Sequence, residues 1–408
     1  MSGSRRVAVT GVGAVCAVGG NAADFWSGLS RGCSGIARIE SVELSGLRFQ
    51  NGAEVRGFDP SAHFDPVRLD FLDRFAQFAV VAAREALADS GLRLVPELCE
   101  RTVIYTGSCL GGQTTEDAGF ADLYLRGRDR MHPLSIPRVM ANAGASQISM
   151  ELGLTGPACT ISTACSSSNH AVGHAFWMVR SGIADLALAG GSEAPFSHAH
   201  LKAWEAMRVV SPDTCRPFSA DRRGLILGEG AGILVLEPLD VAAARGARVY
   251  AELAGFGMSS DAHHLTQPTS AGPARAMRSA LADAGLALEQ VGYVNAHGTG
   301  TRSNDPAETR AIRDVFGPHA GRLAVTSTKS MHGHALGAAG ALEAVATVLA
   351  LHHGILPPTA NFTTADPECD LDVVPNVARA TRVEAALSNS FAFGGLNAVL
   401  AFRAAERT

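Results

Sequence analysis

The 408-residue chain has eight cysteines but no CxxC pair and no closely spaced set. This excludes a small disulfide-stapled fold and points to free thiols in a reducing, cytoplasmic setting. Positive charge is also short, with 34 Lys and Arg against 39 Asp and Glu and a formal net charge of -5. No global basic field is available to hold nucleic acid. Clean apolar runs of membrane length are missing as well. The most apolar stretch, Leu336 to Leu356, is interrupted by Glu343 and followed by no charged stop, which reads as a buried helix rather than a membrane span. At the start, MSGSRRVAVTGVGAV, the stretch after the arginines is β-branched and broken by glycine. It reads as a first strand, not a signal peptide. Heptads, low-complexity tracts and long linkers are absent too.

What is present is alternation. Apolar β-branched runs at Val7–Thr10, Val103–Thr106, Thr160–Ser162, Leu186–Ala189 and Ile233–Leu236 read as strands. They are interleaved with helical patterns at Asp73–Ser90, Val139–Leu152 and Ser166–Ser181. A second series follows, with strands at Val249–Gly255, Val291–Asn295, Leu323–Ser327, Ala386–Phe391 and Ala398–Phe402. Its helices are at Pro273–Ala284, Pro306–Phe316 and Leu336–His353. This is an α/β chain. In both series the third strand runs through a short polar loop into a helix, which suggests an internal duplication with halves 1–240 and 241–408.

Three places carry chemistry. Cys165 lies between a strand and a helix that opens on three serines, which suit a helix N-terminus. Unpaired N–H groups and the positive end of the helix dipole favour thiolate there, whereas most free cysteines are small buried hydrophobes. His297 leaves a strand into the turn Gly298-Thr299-Gly300-Thr301. Lys329 precedes His332 and His334, and His334 opens a glycine- and alanine-rich helix. Loop histidines at the ends of central strands of an α/β chain stand where active-site residues collect. The HxH pair lacks the further cysteine or carboxylate ligands that would complete a metal site, so no metal is expected.

TACSSS around Cys165, NAHGTGT around His297, KSMHGHALGAAG around Lys329 and His334, and SNSFAFGGLN near the end resemble the β-ketoacyl-acyl-carrier-protein synthase II type of condensing enzyme. Type II polyketide ketosynthases are similar. The resemblance covers nearly the whole chain, including FWSGL, RPFSADRRGLILGEGAGILVLE and GMSSDAHHLT. It implies the thiolase fold, two duplicated α/β halves forming a five-layered αβαβα core. It further implies that Cys165 accepts an acyl chain as a thioester from acyl carrier protein, and that His297 and His334 stabilise the enolate formed when malonyl-acyl carrier protein loses carbon dioxide. Under the same resemblance, the N–H groups of Cys165 and Phe393 form an oxyanion hole. Lys329, with Glu343, orders the second histidine. Thr299 and Thr301 hold the pantetheine arm, Phe393 is the gate, and Leu110, Trp204 and Phe393 line the acyl pocket. No redox cofactor is implied. The expected partners are acyl carrier protein and a second copy of the chain, or a chain-length-factor subunit.

Three positions depart from the housekeeping fatty-acid pattern: Ser166-Ser167-Ser168 after the nucleophile, Ala392 where the gate usually has glycine, and Trp204 where phenylalanine is common. Together they favour an altered acyl substrate, because fold and core motifs do not set substrate. The alternative from another class is a catalytically silent, chain-length-factor-type partner of a ketosynthase. The complete set of cysteine and two histidines stands against it.

Overall fold

The computed structural model describes residues 5–406, so the four N-terminal and two C-terminal residues of the two expected halves lie outside it. Ten strands form one mixed sheet: β1 Val7–Cys16, β2 Thr102–Gly107, β3 Ala158–Ile161, β4 Leu186–Glu193, β5 Gly230–Pro238, β6 Ala251–Ser260, β7 Val291–Asn295, β8 Ala324–Thr326, β9 Ala385–Ala392 and β10 Leu396–Ala404. The helices that position the site are α1 Arg74–Asp89, α2 Ala143–Leu152, α3 Ser167–Arg180, α4 His198–Met207, α5 Ala271–Ala284, α6 Asn304–Phe316 and α7 Ala339–His353.

The strand order is β8-β7-β9-β10-β6-β1-β5-β4-β2-β3. Read from the middle outwards, each half has the same order: first, fifth, fourth, second and third strand. Sense repeats as well. The second strand is parallel to the third and fourth in both halves, and the fifth is antiparallel to its neighbours. The halves meet where β1 and β6 pair antiparallel from Val7↔Leu253 to Val9↔Ala251. The duplication expected from the sequence is therefore present in the topology.

Helices α1 and α2 cover the outer face of the first half, and α5 and α6 that of the second. Between the halves lie α3 and α7, which touch each other and strands of both halves. That gives five layers. A helix covered on every side must be apolar all round, and α7 is buried from Ala339 to Leu351. The stretch Leu336–His353 is apolar and long enough to cross a membrane, but 89% of it is buried inside this fold, as a core helix. Each fully buried Leu or Val on α7, such as Leu342, Val345 or Val348, contributes roughly 1.5–3 kcal/mol of apolar burial.

Most expected elements are present with shifted ends. β1 continues six residues beyond Thr10 because Gly11 and Gly13 lie against α1: a Cβ on Gly11 would stand 2.1 Å from Ala86 O. Glycine here marks close backbone approach rather than the end of a strand. The helix expected over 139–152 starts four residues later, as α2, and a separate short helix, Ser135–Val139, precedes it.

Candidate active site

Cys165 stands at the turn between β3 and α3. Ala164 is held at φ +51°, a left-handed conformation that costs a residue with a Cβ about 1–3 kcal/mol. The serines that follow brace this turn. Ser167 Oγ accepts from Thr163 N at 2.9 Å and donates to Ala164 O at 2.6 Å. Ser166 Oγ donates to Thr163 O at 2.9 Å, and Ser168 Oγ to Gly337 O in the loop after His334. None of the three lines the cavity above Cys165. The SSS departure thus acts on the backbone and makes no contact through which to select a substrate.

His297 follows β7 and His334 follows β8. These strands are parallel neighbours, Thr326 opposite Asn295, so both loops leave the same end of the sheet. The histidine rings meet edge to face, centroids 5.4 Å apart. Cys165 Sγ and one nitrogen of each histidine lie within 4.8 Å of one another. His334 Nδ1 accepts from Leu336 N at 3.2 Å, and His297 Nδ1 faces Lys329 Nζ at 3.3 Å. Both Nδ1 atoms therefore act as acceptors, and the ring proton of each sits on Nε2.

The sequence reading joined Lys329 to the second histidine. Its Nζ instead contacts His297, the first, and donates to Glu343 Oε1. Lys329 and Glu343 have fully buried side chains. Burial pushes the Glu343 carboxyl up to about 7 against the pull of Lys329. Burial first, then the charge on Lys329, holds His297 and His334 well below the ordinary imidazole value. Both rings are neutral hydrogen-bond donors near neutral pH.

The same burial corrects the expectation of a resting thiolate. The Cys165 thiol is pushed up to about 11 by desolvation, while Lys329 and the N–H groups of Phe393 and Cys165 itself pull the other way. Desolvation outweighs the helix terminus. These two N–H groups are the expected oxyanion pair, and both face the sulfur.

Phe393 belongs to the loop between β9 and β10. Gly394 and Gly395 take its left-handed positions, at φ +81° and +68°, while Ala392 is not left-handed. The added Cβ at 392 therefore carries no strain in this conformation. The loop is tied to the segment 261–269 by Gly394 N to Leu265 O at 2.7 Å and Asp261 N to Gly395 O at 2.8 Å.

A cavity of about 380 Å³ joins Cys165, His297, His334, Thr299, Thr301, Trp204 and Phe393. Thr299 and Thr301 hydroxyls are 2.9 Å apart. The Trp204 and Phe393 rings stack at 6.2 Å. Leu110 is not among the residues lining the cavity; it packs against the apolar cluster that contains Trp204.

Glu308 was missed. Buried on α6, it accepts from His297 N and Gly298 N, each at 2.8 Å, and from Asn389 Nδ2 at 3.2 Å. It fixes the backbone from which His297 projects. The available signal was an acidic residue on the buried side of the helix after the histidine loop, eleven residues on.

Two family models match the chain: the β-ketoacyl synthase N-terminal domain over residues 4–242 and its C-terminal domain over 250–363. Nodulation protein E of Rhizobium sp. (strain N33) is 50% identical, over 98% of this chain and 99% of that protein. The 3-oxoacyl-[acyl-carrier-protein] synthase 2 of Staphylococcus aureus (strain COL) is 40% identical over the full length of both. Among solved structures, the ishigamide ketosynthase/chain length factor superposes with a TM-score of 0.95 at 40% identity, covering 99% of this chain and 100% of that one. A type II polyketide ketosynthase in complex with its acyl-carrier protein gives 0.89 at 33%, covering 98% and 100%.

Proposed function

We propose residue roles for this chain, which belongs to the β-ketoacyl synthase family. It is an acyltransferase that catalyses decarboxylative Claisen condensation of an acyl thioester with malonyl-acyl carrier protein, the chain-extending step of fatty acid and polyketide assembly. The observation that carries the roles is the Cys165 sulfur placed within 4.8 Å of a nitrogen of each neutral histidine in one buried cavity.

In the first half-reaction the Cys165 sulfur attacks the acyl carbonyl carried on acyl carrier protein. The carrier thiol leaves with the proton that Cys165 gives up. Malonyl-carrier protein then enters past Phe393, its pantetheine arm hydrogen-bonded by Thr299 and Thr301. As the carboxylate leaves as carbon dioxide, the electron pair forms an enolate whose oxygen accepts from Nε2–H of His297 and His334. The enolate carbon attacks the thioester, and the new oxyanion accepts from the N–H groups of Cys165 and Phe393. Each such donor is worth about 3–4 kcal/mol in the transition state. Collapse expels the Cys165 sulfur and leaves a β-ketoacyl chain on the carrier. Lys329 acts through its charge beside His297 and through Glu343, keeping both rings neutral.

Trp204 and Phe393 bound the acyl chain, and Leu110 packs against the cluster that holds Trp204. In this reading residues 1–240 supply the nucleophile and residues 241–408 the histidines and gate, supported by the repeated strand order. Acyl carrier protein is the transient partner, as in the ketosynthase complex that this chain resembles. The chain pairs with a second copy of itself through β3, a sheet edge with Ala158 and Cys159 exposed. Tyr124, Leu125 and Ile136, between β2 and α2, are also exposed. A chain-length-factor subunit could occupy the same face. The cysteines among the described residues are all free, in keeping with a cytoplasmic setting.

The test is intact-mass analysis of the purified protein with a panel of acyl-acyl-carrier-protein thioesters. A single acyl adduct that disappears in Cys165→Ala supports the assignment. An adduct that persists in that variant overturns it.

A further inference from the structure

Trp204 belongs to two cavities at once. One is the catalytic cavity. The other, a groove of about 220 Å³ open to the surface, is lined by Arg48, Phe49, Glu205, Arg208, Val210 and Pro212 together with Trp204, with Arg48, Arg208 and Pro212 exposed. Among the described residues, Trp204 is the one common to both linings. The chain after α4 is a thin wall between them, with Val209 on the catalytic side and Val210 on the other, as alternation in an extended chain requires. The indole closes the rest of that wall.

Two contacts hold the indole in place. Phe393 stacks on it, at an interplanar angle of 27°. One turn earlier on α4, His200 Nε2 accepts the indole Nε1–H at 2.7 Å. A phenylalanine at 204 would lack that donor. His200 is half-buried, and desolvation lowers its pKa to about 4, so the ring is neutral near neutral pH and its Nε2 accepts. When Phe393 swings aside for malonyl entry, the His200 bond is the tether that remains. A rotating indole would join the two cavities.

We propose that Trp204 is the partition that limits how far the acyl chain on Cys165 extends, and that His200 is the positioning residue that keeps it closed. The second cavity is then latent space for the distal end of a longer or bulkier acyl group. This inference rests on acyl loading at Cys165.

The experiment compares acyl loading and KM for acyl-carrier-protein thioesters of increasing length, by intact mass. The variants are Trp204→Ala, His200→Leu and His200→Gln. Trp204→Ala is expected to raise the long-to-short ratio of loading efficiency at least about tenfold. His200→Leu, which removes the acceptor, should move the same ratio several-fold through KM. His200→Gln, whose amide oxygen can accept the indole N–H, should restore it. An unchanged chain-length profile in a Trp204→Ala protein that still loads its preferred chain overturns the partition. Equal profiles for His200→Leu and His200→Gln overturn the tether. Loss of loading at Cys165 with every chain in the unmodified protein would instead refute the reading beneath it.

Discussion

Replacing Glu308 by glutamine tests whether the backbone of the histidine loop sets the rate of decarboxylation. The carboxylate accepts two backbone N–H groups, from His297 and Gly298, both at 2.8 Å and buried. An amide has a single oxygen, so in the variant its NH2 group must face one of those donors. The loss of a bond to a charged acceptor, roughly 1.5–3 kcal/mol, is joined by a buried donor left without a partner, about 1–3 kcal/mol. Relaxation of the loop recovers part of this, so the expected destabilisation in urea unfolding is about 2–4 kcal/mol. The same relaxation displaces His297. Removing one aimed donor outright costs about a hundred- to a thousand-fold, and displacement should cost about ten- to a hundred-fold in carbon dioxide release from malonyl-carrier protein. Acyl loading of Cys165 does not use His297 and should stay within about three-fold of the unmodified protein. Equal losses in both half-reactions, or destabilisation with unchanged carbon dioxide release, would refute the reasoning.

Two further outcomes follow from the buried charges. Lys329→Met removes the partner of a fully buried carboxylate and should cost about 3–5 kcal/mol at pH 8. The Glu343 carboxyl is already raised to about 7 and rises further without Lys329. The unfolded chain releases that proton at the ordinary carboxylate value while the folded chain retains it, so the variant loses stability as pH increases through and beyond 7. Urea unfolding at pH 5, 6.5 and 8 should show a fall that matches the unmodified protein up to 6.5 and is steeper from 6.5 to 8; profiles parallel throughout contradict the assignment. With the Cys165 thiol at about 11, iodoacetamide modification should quicken by about tenfold per pH unit between pH 7 and 9. A plateau in that range would mean a resting thiolate.

How much of this was legible in the sequence depends on distance along the chain. Cys165, His297 and His334 each follow a strand, and that local pattern marked all three as candidates, although β3 runs opposite in sense to β7 and β8 and only the fold brings them together. The partner of Lys329 was misread because His334 is five residues away in sequence. In the fold, the parallel pairing of β7 with β8 brings His297, thirty-two residues earlier, against Nζ. The ionisation of Cys165 was misread for a related reason. Helix position is local, but the desolvation that dominates comes from the burial of the thiol in the folded chain. Substitutions were harder still. Ser166, Ser167 and Ser168 look like substrate determinants in sequence and prove to bond backbone carbonyls, of Thr163, Ala164 and Gly337 in turn, whereas His200, four residues before Trp204, carried no motif at all. Strand ends were lost at Gly11, where a local breaker is tolerated because α1 packs directly on the backbone.

The central claim is that one cavity loads an acyl chain on Cys165 and extends it with the help of two neutral histidines. The most direct measurement is product mass after pre-acylated enzyme is mixed with malonyl-acyl carrier protein. The account predicts a β-ketoacyl-carrier product two carbons longer than the loaded chain, one carbon dioxide released per product, and Cys165 returned to its free mass. Product formed while the adduct on Cys165 persists, or formed equally by the Cys165→Ala protein, would contradict it.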